Sequence, residues 1–456
     1  MKRSSFHRSI FMAIVILVPL YGNSTIFFQQ LHIGTEERLL PGEGGVRTTN
    51  YSTIWPYRKR PYEWCYPLQQ ADKLKHPPGL LYVKIPKAAS STLAGINMRI
   101  AHRIGEQMLL KPSLLSSPFG SLLRSMKLIS SEEEQQQVCS HTRTHGRDML
   151  LLQLQLSQGK QSNNNNMHSS TRKPLLWSFV RDPAARAQSA FYHFQVSRKG
   201  VTPTLGHLIS YCSSEEASAN FQFRYLSTDE NPQSFLNTCT TANNNENNHN
   251  NNNNNENVDD AKASCDKVIQ DQILNQYDFV GVVERWAESL AVMILLWNLQ
   301  HSDVIVLPSK VAGGFDDGRF QTAGNCKRIV APSSSSSSSS PSSSLAQFEE
   351  EQEYLESFWN STFRATNEYD YRLYQMTNDK LTKTIHALGR KRVQEVVKNI
   401  KALEAMAVEQ CSSTAIFPCS SDGNWQYDKS KKNCYWLDSG CGYPCIDQLV
   451  ASMKNA

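Results

Sequence analysis

The 456-residue sequence contains no Gly-x-x-x-x-Gly-Lys-Ser/Thr loop, which excludes the standard cradle for ATP phosphates. It has no Cys-x2-Cys pair either. Its 11 cysteines fall at irregular spacings, which argues against a zinc site. No obvious pair of acidic metal ligands stands on a strand next to a phosphate loop, so a metal-assisted kinase has little support. Net charge is low for this length, +5, and Lys and Arg are scattered along the chain. That pattern is not the massed basic footprint of a nucleic-acid binder, though it leaves room for a local anion site.

What is present begins at the N-terminus. Lys2, Arg3, His7 and Arg8 precede an apolar run from Ile10 to Tyr21, which Ile26, Phe27 and Phe28 extend after a polar break. Two readings fit: a cleaved leader, or an uncleaved anchor over residues 10–28. No Ala-x-Ala pattern follows, and the basic residues stand on the side that stays cytoplasmic, so the anchor is preferred, with a tail at 1–9. Everything beyond it would then face a lumen. Asn50-Tyr51-Ser52 and Asn360-Ser361-Thr362 match glycosylation acceptors. All the cysteines lie beyond the apolar run. Cys411, Cys419, Cys434, Cys441 and Cys445 crowd a C-terminal stretch, 411–456, that reads as a disulfide-stapled module. Five is odd, so at least one of them pairs elsewhere or stays free.

Residues 29–77 read as a stem, poor in periodic apolar positions, and a globular body spans 78–410. It is interrupted by Asn163–Asn166, by an Asn-rich tract over 243–257 and by a Ser-rich tract over 333–344. Such tracts bury no apolar surface to offset chain ordering, so they are expected as surface insertions. Between them strands and helices alternate. Strands are predicted at 80–85, 175–180, 279–283 and 304–307, and helices at 92–104, 183–197 and 287–299. That order predicts an α/β fold with a parallel sheet flanked by helices. A helical stretch follows from 345 to about 410. It is acidic early and basic later, with Lys380 among the basic residues, and reads as a solvated face.

Two strand ends carry chemistry. Ligands of parallel sheets sit beyond the carboxyl ends of the strands. After 80–85 the chain runs Pro86-Lys87-Ala88-Ala89-Ser90-Ser91-Thr92. Lys87 supplies a full positive charge. Ala88 and Ala89 let the backbone approach an anion closely. Ser90, Ser91 and Thr92 supply hydroxyls at a helix N-terminus, which itself favours phosphate. Taken alone, a serine-capped helix with a surface lysine explains the stretch as well. The second strand ends in Arg181-Asp182-Pro183, with Ser189 about two turns into the next helix. Asp182 suits an N-cap and Pro183 the first turn. Arg181 and Ser189 together can clasp a second phosphate, Arg through bidentate contact. A local Arg181–Asp182 salt bridge competes with that reading. Arg186 is expected to face solvent or pair with an Asp.

Together these stretches resemble the sulfotransferases that use 3′-phosphoadenylyl sulfate (PAPS), in particular the membrane-anchored glycan O-sulfotransferases of the Golgi. Lys84-Ile-Pro-Lys87-Ala-Ala-Ser-Ser-Thr92 is similar to that family's 5′-phosphosulfate loop. Arg181-Asp-Pro-Ala-Ala-Arg186-Ala-Gln-Ser189 is similar to its 3′-phosphate motif. Tyr277–Leu290 and Asn367–Tyr374 resemble two later motifs. Ala88 stands where the family usually has Thr, which removes one hydroxyl from the cradle. The resemblance implies a P-loop-like nucleotide site, PAPS as donor, no metal and a glycan acceptor. It implies a single-pass Golgi membrane enzyme whose catalytic domain is lumenal.

Lys87 is then the candidate to stabilise the leaving phosphate. For the base that takes the acceptor proton, His141 follows the run Val138-Cys139-Ser140 and is preferred. His145 and Glu284 are the alternatives. Arg143, Arg147, Arg172 and Arg198 are candidates to receive an acidic sugar chain. A tyrosine-bearing protein acceptor, a catalytically silent relative and an ATP-dependent kinase are the other readings.

Overall fold

The computed structural model describes residues 53–55, 65–67, 80–108, 137–139, 141–144, 175–214, 219–228, 263–307, 313–316, 326–330, 345–426, 434–435 and 440–454. The expected anchor, the glycosylation motif at Asn50 and the Asn- and Ser-rich tracts lie outside these residues, as do His145, Arg147 and Arg172. Asn360 is described and exposed. Among the described residues no helix is long and apolar enough to cross a membrane.

Four strands make one parallel sheet: β1 (Leu80–Val83), β2 (His141–Thr144), β3 (Leu175–Val180) and β4 (Phe279–Val282), in the order β2-β1-β3-β4. All three pairings are parallel. Every residue of β1, β3 and β4 is buried. Such strands read as near-continuous apolar runs because helices cover both faces. β2 is the exception. Its sequence, His-Thr-Arg-Thr, carries no apolar pattern, and it occupies a sheet edge, where pairing alone defines it. The strand expected at 304–307 does not form. Only Leu307 makes an isolated bridge, to Cys441. Val304, Ile305 and Leu307 are apolar because they are buried in the core, not because they belong to the sheet.

The helices that matter here are α1 (Ser90–Met108), α2 (Pro183–Ala190), α3 (Leu205–Cys212), α4 (Phe221–Leu226), α5 (Trp286–Trp297), α6 (Leu345–Phe358), α7 (Glu368–Leu388), α8 (Arg390–Cys411) and α9 (Tyr443–Lys454). α2 passes directly into a π-helical stretch, Phe191–Ser197. Aromatic rings bind sheet to helices. Trp177 stacks edge-on to Trp297 at 5.9 Å, and its indole N–H donates to Asn97 of α1 at 2.9 Å. Gly281 admits the Phe179 ring: a Cβ there would meet it at 2.5 Å.

The cysteine-rich tail is not set apart from this body. Ile446 belongs to the same core as β1 and β3. Cys411 pairs with Cys445, and Cys326 with Cys419. Of the two outcomes that an odd count of five allows, a partner elsewhere or a free thiol, the second bridge shows the first: Cys419 pairs outside the tail. Cys265 and Cys441 are disulfide-bonded as well, and Cys212 is a buried free thiol.

Candidate active site

The carboxyl ends of β1, β3 and β4 lie side by side, and three short connections leave them. After β1 the chain takes a conformation L-residues seldom adopt: Lys87 has φ 68° and Ala89 φ 54°. Such values cost about 1–3 kcal/mol each and collect at ligand-binding turns. Successive backbone N–H groups in such a turn form a concave, anion-attracting nest. α1 then starts at Ser90, two residues earlier than expected, so Ser90, Ser91 and Thr92 form its first turn. The residue before the helix is Ala89, which has no oxygen to cap it, so first-turn N–H groups remain for a ligand or water. Ala88 is fully buried in the core, with its N–H on the Ile85 carbonyl at 3.3 Å. The missing threonine hydroxyl therefore falls at a position whose side chain here fills the core.

Arg181, at the end of β3, reaches across to this turn. Its Nη1 donates to the Lys87 carbonyl at 3.0 Å. Burial lowers its pKa from the ordinary guanidinium value, opposed by Glu284 and then Asp182. Asp182 caps α2 by accepting from the Ala185 N–H at 2.8 Å, as its sequence context requires. Glu284, just past β4, accepts from the Asp182 N–H at 3.1 Å and lies 3.9 Å from Arg181 Nε. Burial and the negative charge of Glu284 push the Tyr374 phenol up to about 12. Ser189 sits half-buried in the second turn of α2.

Beneath lies a layer that sequence reasoning missed. The Gln222 side chain grips the Arg181 backbone twice: Oε1 accepts its N–H at 2.9 Å and Nε2 donates to its carbonyl at 2.7 Å. Gln222 is fixed because Asp370 of α7 caps the start of α4, accepting from the N–H groups of Gln222 (3.0 Å) and Phe223 (2.8 Å). Asn220 and Asn367 complete the joint. The Asn220 N–H donates to the Asn367 side chain, and the Asn220 side chain accepts from the Tyr369 N–H. Burial pushes the Asp370 carboxyl up to about 6 against those backbone donors and Arg186. A capping Asn before an aromatic-rich run was the available sign.

A cationic turn and an arginine, tied together at adjacent strand ends, are suited to hold two anionic groups of one ligand. A profile of the sulfotransferase family matches residues 74–375, which include both strand ends and the start of α7. The chain belongs to the sulfotransferase family. No curated protein and no solved structure matches it. Enzymes of this family carry out sulfuryl transfer and generally use PAPS. Among the described residues, no group of three or more His, Cys, Asp or Glu is placed to hold a metal ion.

The geometry revises other expectations for this sulfotransferase. His141 pairs with Leu80 at the amino end of the sheet, whereas Thr144 pairs with Val83 at the end that leads to Lys87. Three strand residues, roughly 10 Å, separate the two levels. His145, next after Thr144, is outside the described residues. Arg186 does not face solvent. It is 2% exposed, with its guanidinium 4.2 Å from the Phe221 ring centroid. Burial lowers its pKa, opposed first by Asp370. Lys380 leaves the solvated face expected for its helix. It is 5% exposed, donates to the Leu274 carbonyl at 2.7 Å and lies over the Trp55 ring. Arg198 is taken by the buried Asp316 at 2.6 Å.

Proposed function

We propose that this sulfotransferase moves the sulfuryl group of PAPS to a hydroxyl of a glycan in the Golgi lumen. The observation that carries the donor reading is the Arg181–Lys87 contact, which joins the turn after β1 to the end of β3. In this reading Lys87, the backbone of Ala88 and Ala89, and Ser90, Ser91 and Thr92 receive the 5′-phosphosulfate. Arg181 and Ser189 receive the 3′-phosphate. The left-handed turn and the uncapped start of α1 suit an anion; Arg181 suits a second one through charge-assisted bonds.

The chemistry is an in-line displacement at sulfur, by analogy with phosphoryl transfer. The acceptor oxygen forms a bond to sulfur while the bond from sulfur to the bridging phosphate oxygen breaks. Negative charge gathers on that oxygen, and Lys87 is the cation to balance it. The acceptor proton passes to a base. His145 fits better than His141, because it follows the residue that ends β2 on the loop side. Glu284 is already engaged by the Asp182 N–H. Replacing each histidine with alanine separates them: loss of turnover with His141→Ala alone would reverse this assignment.

The lumenal setting is supported by the basic and apolar N-terminus and by the disulfides, which persist in oxidising compartments. Calorimetry tests the donor. Adenosine 3′,5′-bisphosphate (PAP) should bind well above ADP, and Arg181→Ala should weaken PAP by roughly 10- to 100-fold. Equal binding of both nucleotides would sink the reading.

A further inference from the structure

A cavity of about 510 Å³ opens beside the turn, with Pro86, the residue before Lys87, on its wall. That volume lies within the small-ligand range of roughly 300–1,000 Å³. Lys87, Arg181 and Ser189 do not line it, but Pro86 and Ala190, the chain neighbours of Lys87 and Ser189, do. Its floor is one face of α2 and the π stretch: Arg186, Ala190, Phe194 and Arg198, each four residues apart. In a pure α-helix such a row drifts by about 40° per step. The wider π turn, with i→i+5 bonds, offsets the drift and keeps the row on the cavity.

We infer that this cavity is the acceptor subsite and that it takes a saccharide ring bearing a negative charge. The inference rests on the proposed donor reading. Phe194, Tyr211, Phe221 and Tyr225 bring flat apolar faces, with Phe221 and Tyr225 stacked at 4.6 Å. Gln195, Ser214 and the two tyrosine hydroxyls add uncharged hydrogen-bonding groups. Faces plus several neutral polar groups match a ring carrying hydroxyls better than a phenol. Charge decides the rest. Arg198 donates to Asp316 through Nε (3.0 Å) and Nη2 (2.6 Å), and His193 Nε2 lies 3.5 Å from the same carboxylate. Arg186 is held under Phe221 and balanced in part by Asp370. Lys199 is exposed and makes no ion pair among the described residues, so its charge faces whatever enters.

The test uses the full chain from a secretory host with labelled PAPS. The acceptors are unsulfated chondroitin, a neutral galactan and a tyrosine-containing peptide. Two variants alter the cavity away from the donor site: Lys199→Glu and Ser214→Trp, both at exposed positions. Label should enter chondroitin. Lys199→Glu should raise the chondroitin KM roughly tenfold, and Ser214→Trp should raise the KM too. PAP affinity should stay at the wild-type value in both. Label confined to the galactan or the peptide, or in none of the three, overturns the inference. So does an unchanged KM in both variants, and a parallel loss of PAP affinity would give the cavity to the nucleotide. A wild-type chain that fails to bind PAP would instead sink the donor reading itself.

Discussion

Arg181 was legible because three sequence features coincide on it: a strand end, a capping Asp and a proline. What holds it was not, since Gln222 and Asp370 are 41 and 189 residues away and meet it only through the fold. Glu284 is the tunable member of this group. Glu284→Gln keeps a hydrogen-bond acceptor for Asp182 but removes the charge beside Arg181, so PAP binding should weaken several-fold while ADP binding holds. Calorimetry of both ligands reads this directly; equal weakening of the two would show a general collapse of the site. Lys380 gives a second test, through pH. Burial lowers its pKa from 10.5 to about 8. Between those values the unfolded chain binds more protons than the folded one, so stability rises with pH there. The contribution is fully present above 10.5 and is lost as pH falls through about 8. Relative to Lys380→Met, wild type should gain up to about 3 kcal/mol from pH 8 to 10.5, read from urea midpoints. A constant gap would mean the lysine is not desolvated as described.

At the scale of elements, the sequence exposed β1, β3 and β4 because each is buried on both faces and therefore written in apolar residues. β2 stayed hidden for the opposite reason: as an edge strand it needs partners for its backbone, not apolar side chains. Residues 304–307 misled because burial in a loop writes the same apolar code as burial in a strand. The helix after Arg181 was foreseen over 183–197, but its change to π geometry at Phe191 was not, since no residue type marks it. The β3–β4 contact offers a sharp test. A methyl at Gly281 would overlap the Phe179 ring, which is fully buried between β4 and Trp286 and has little room to retreat. Gly281→Ala should therefore cost about 1–3 kcal/mol in chemical denaturation. Phe179→Leu in the same chain should recover part of the loss, because it removes the ring that collides. No recovery would place the cost in the strand backbone.

For the whole molecule, the disulfides do more than staple a tail. Cys411–Cys445 closes 34 residues and holds α9 against α8, while Cys326–Cys419 spans 93 residues and returns to the catalytic body. In the chain-entropy view these loops stabilise the fold by about 4 and 4–5 kcal/mol. The longer bridge has a second consequence. Cys326 precedes Lys327–Arg328, which pairs with Phe315–Asp316, and Asp316 binds Arg198 on the floor of the cavity. A sequence count showed that one tail cysteine pairs outside the tail or stays free, but not that its partner would stand next to the ion pair that neutralises Arg198. Replacing Cys326 and Cys419 together by serine should thus lower stability by several kcal/mol. Below the unfolding transition it should also raise the acceptor KM while leaving PAP affinity unchanged. Replacing Cys411 and Cys445 should lower stability without the KM effect, since that bridge ties the end of α8 to the start of α9 and neither helix lines the cavity. Thermal unfolding with acceptor kinetics at a temperature where both variants are folded distinguishes them. Identical KM values in the two variants would mean that the bridge at Cys326 stabilises the fold without shaping the cavity.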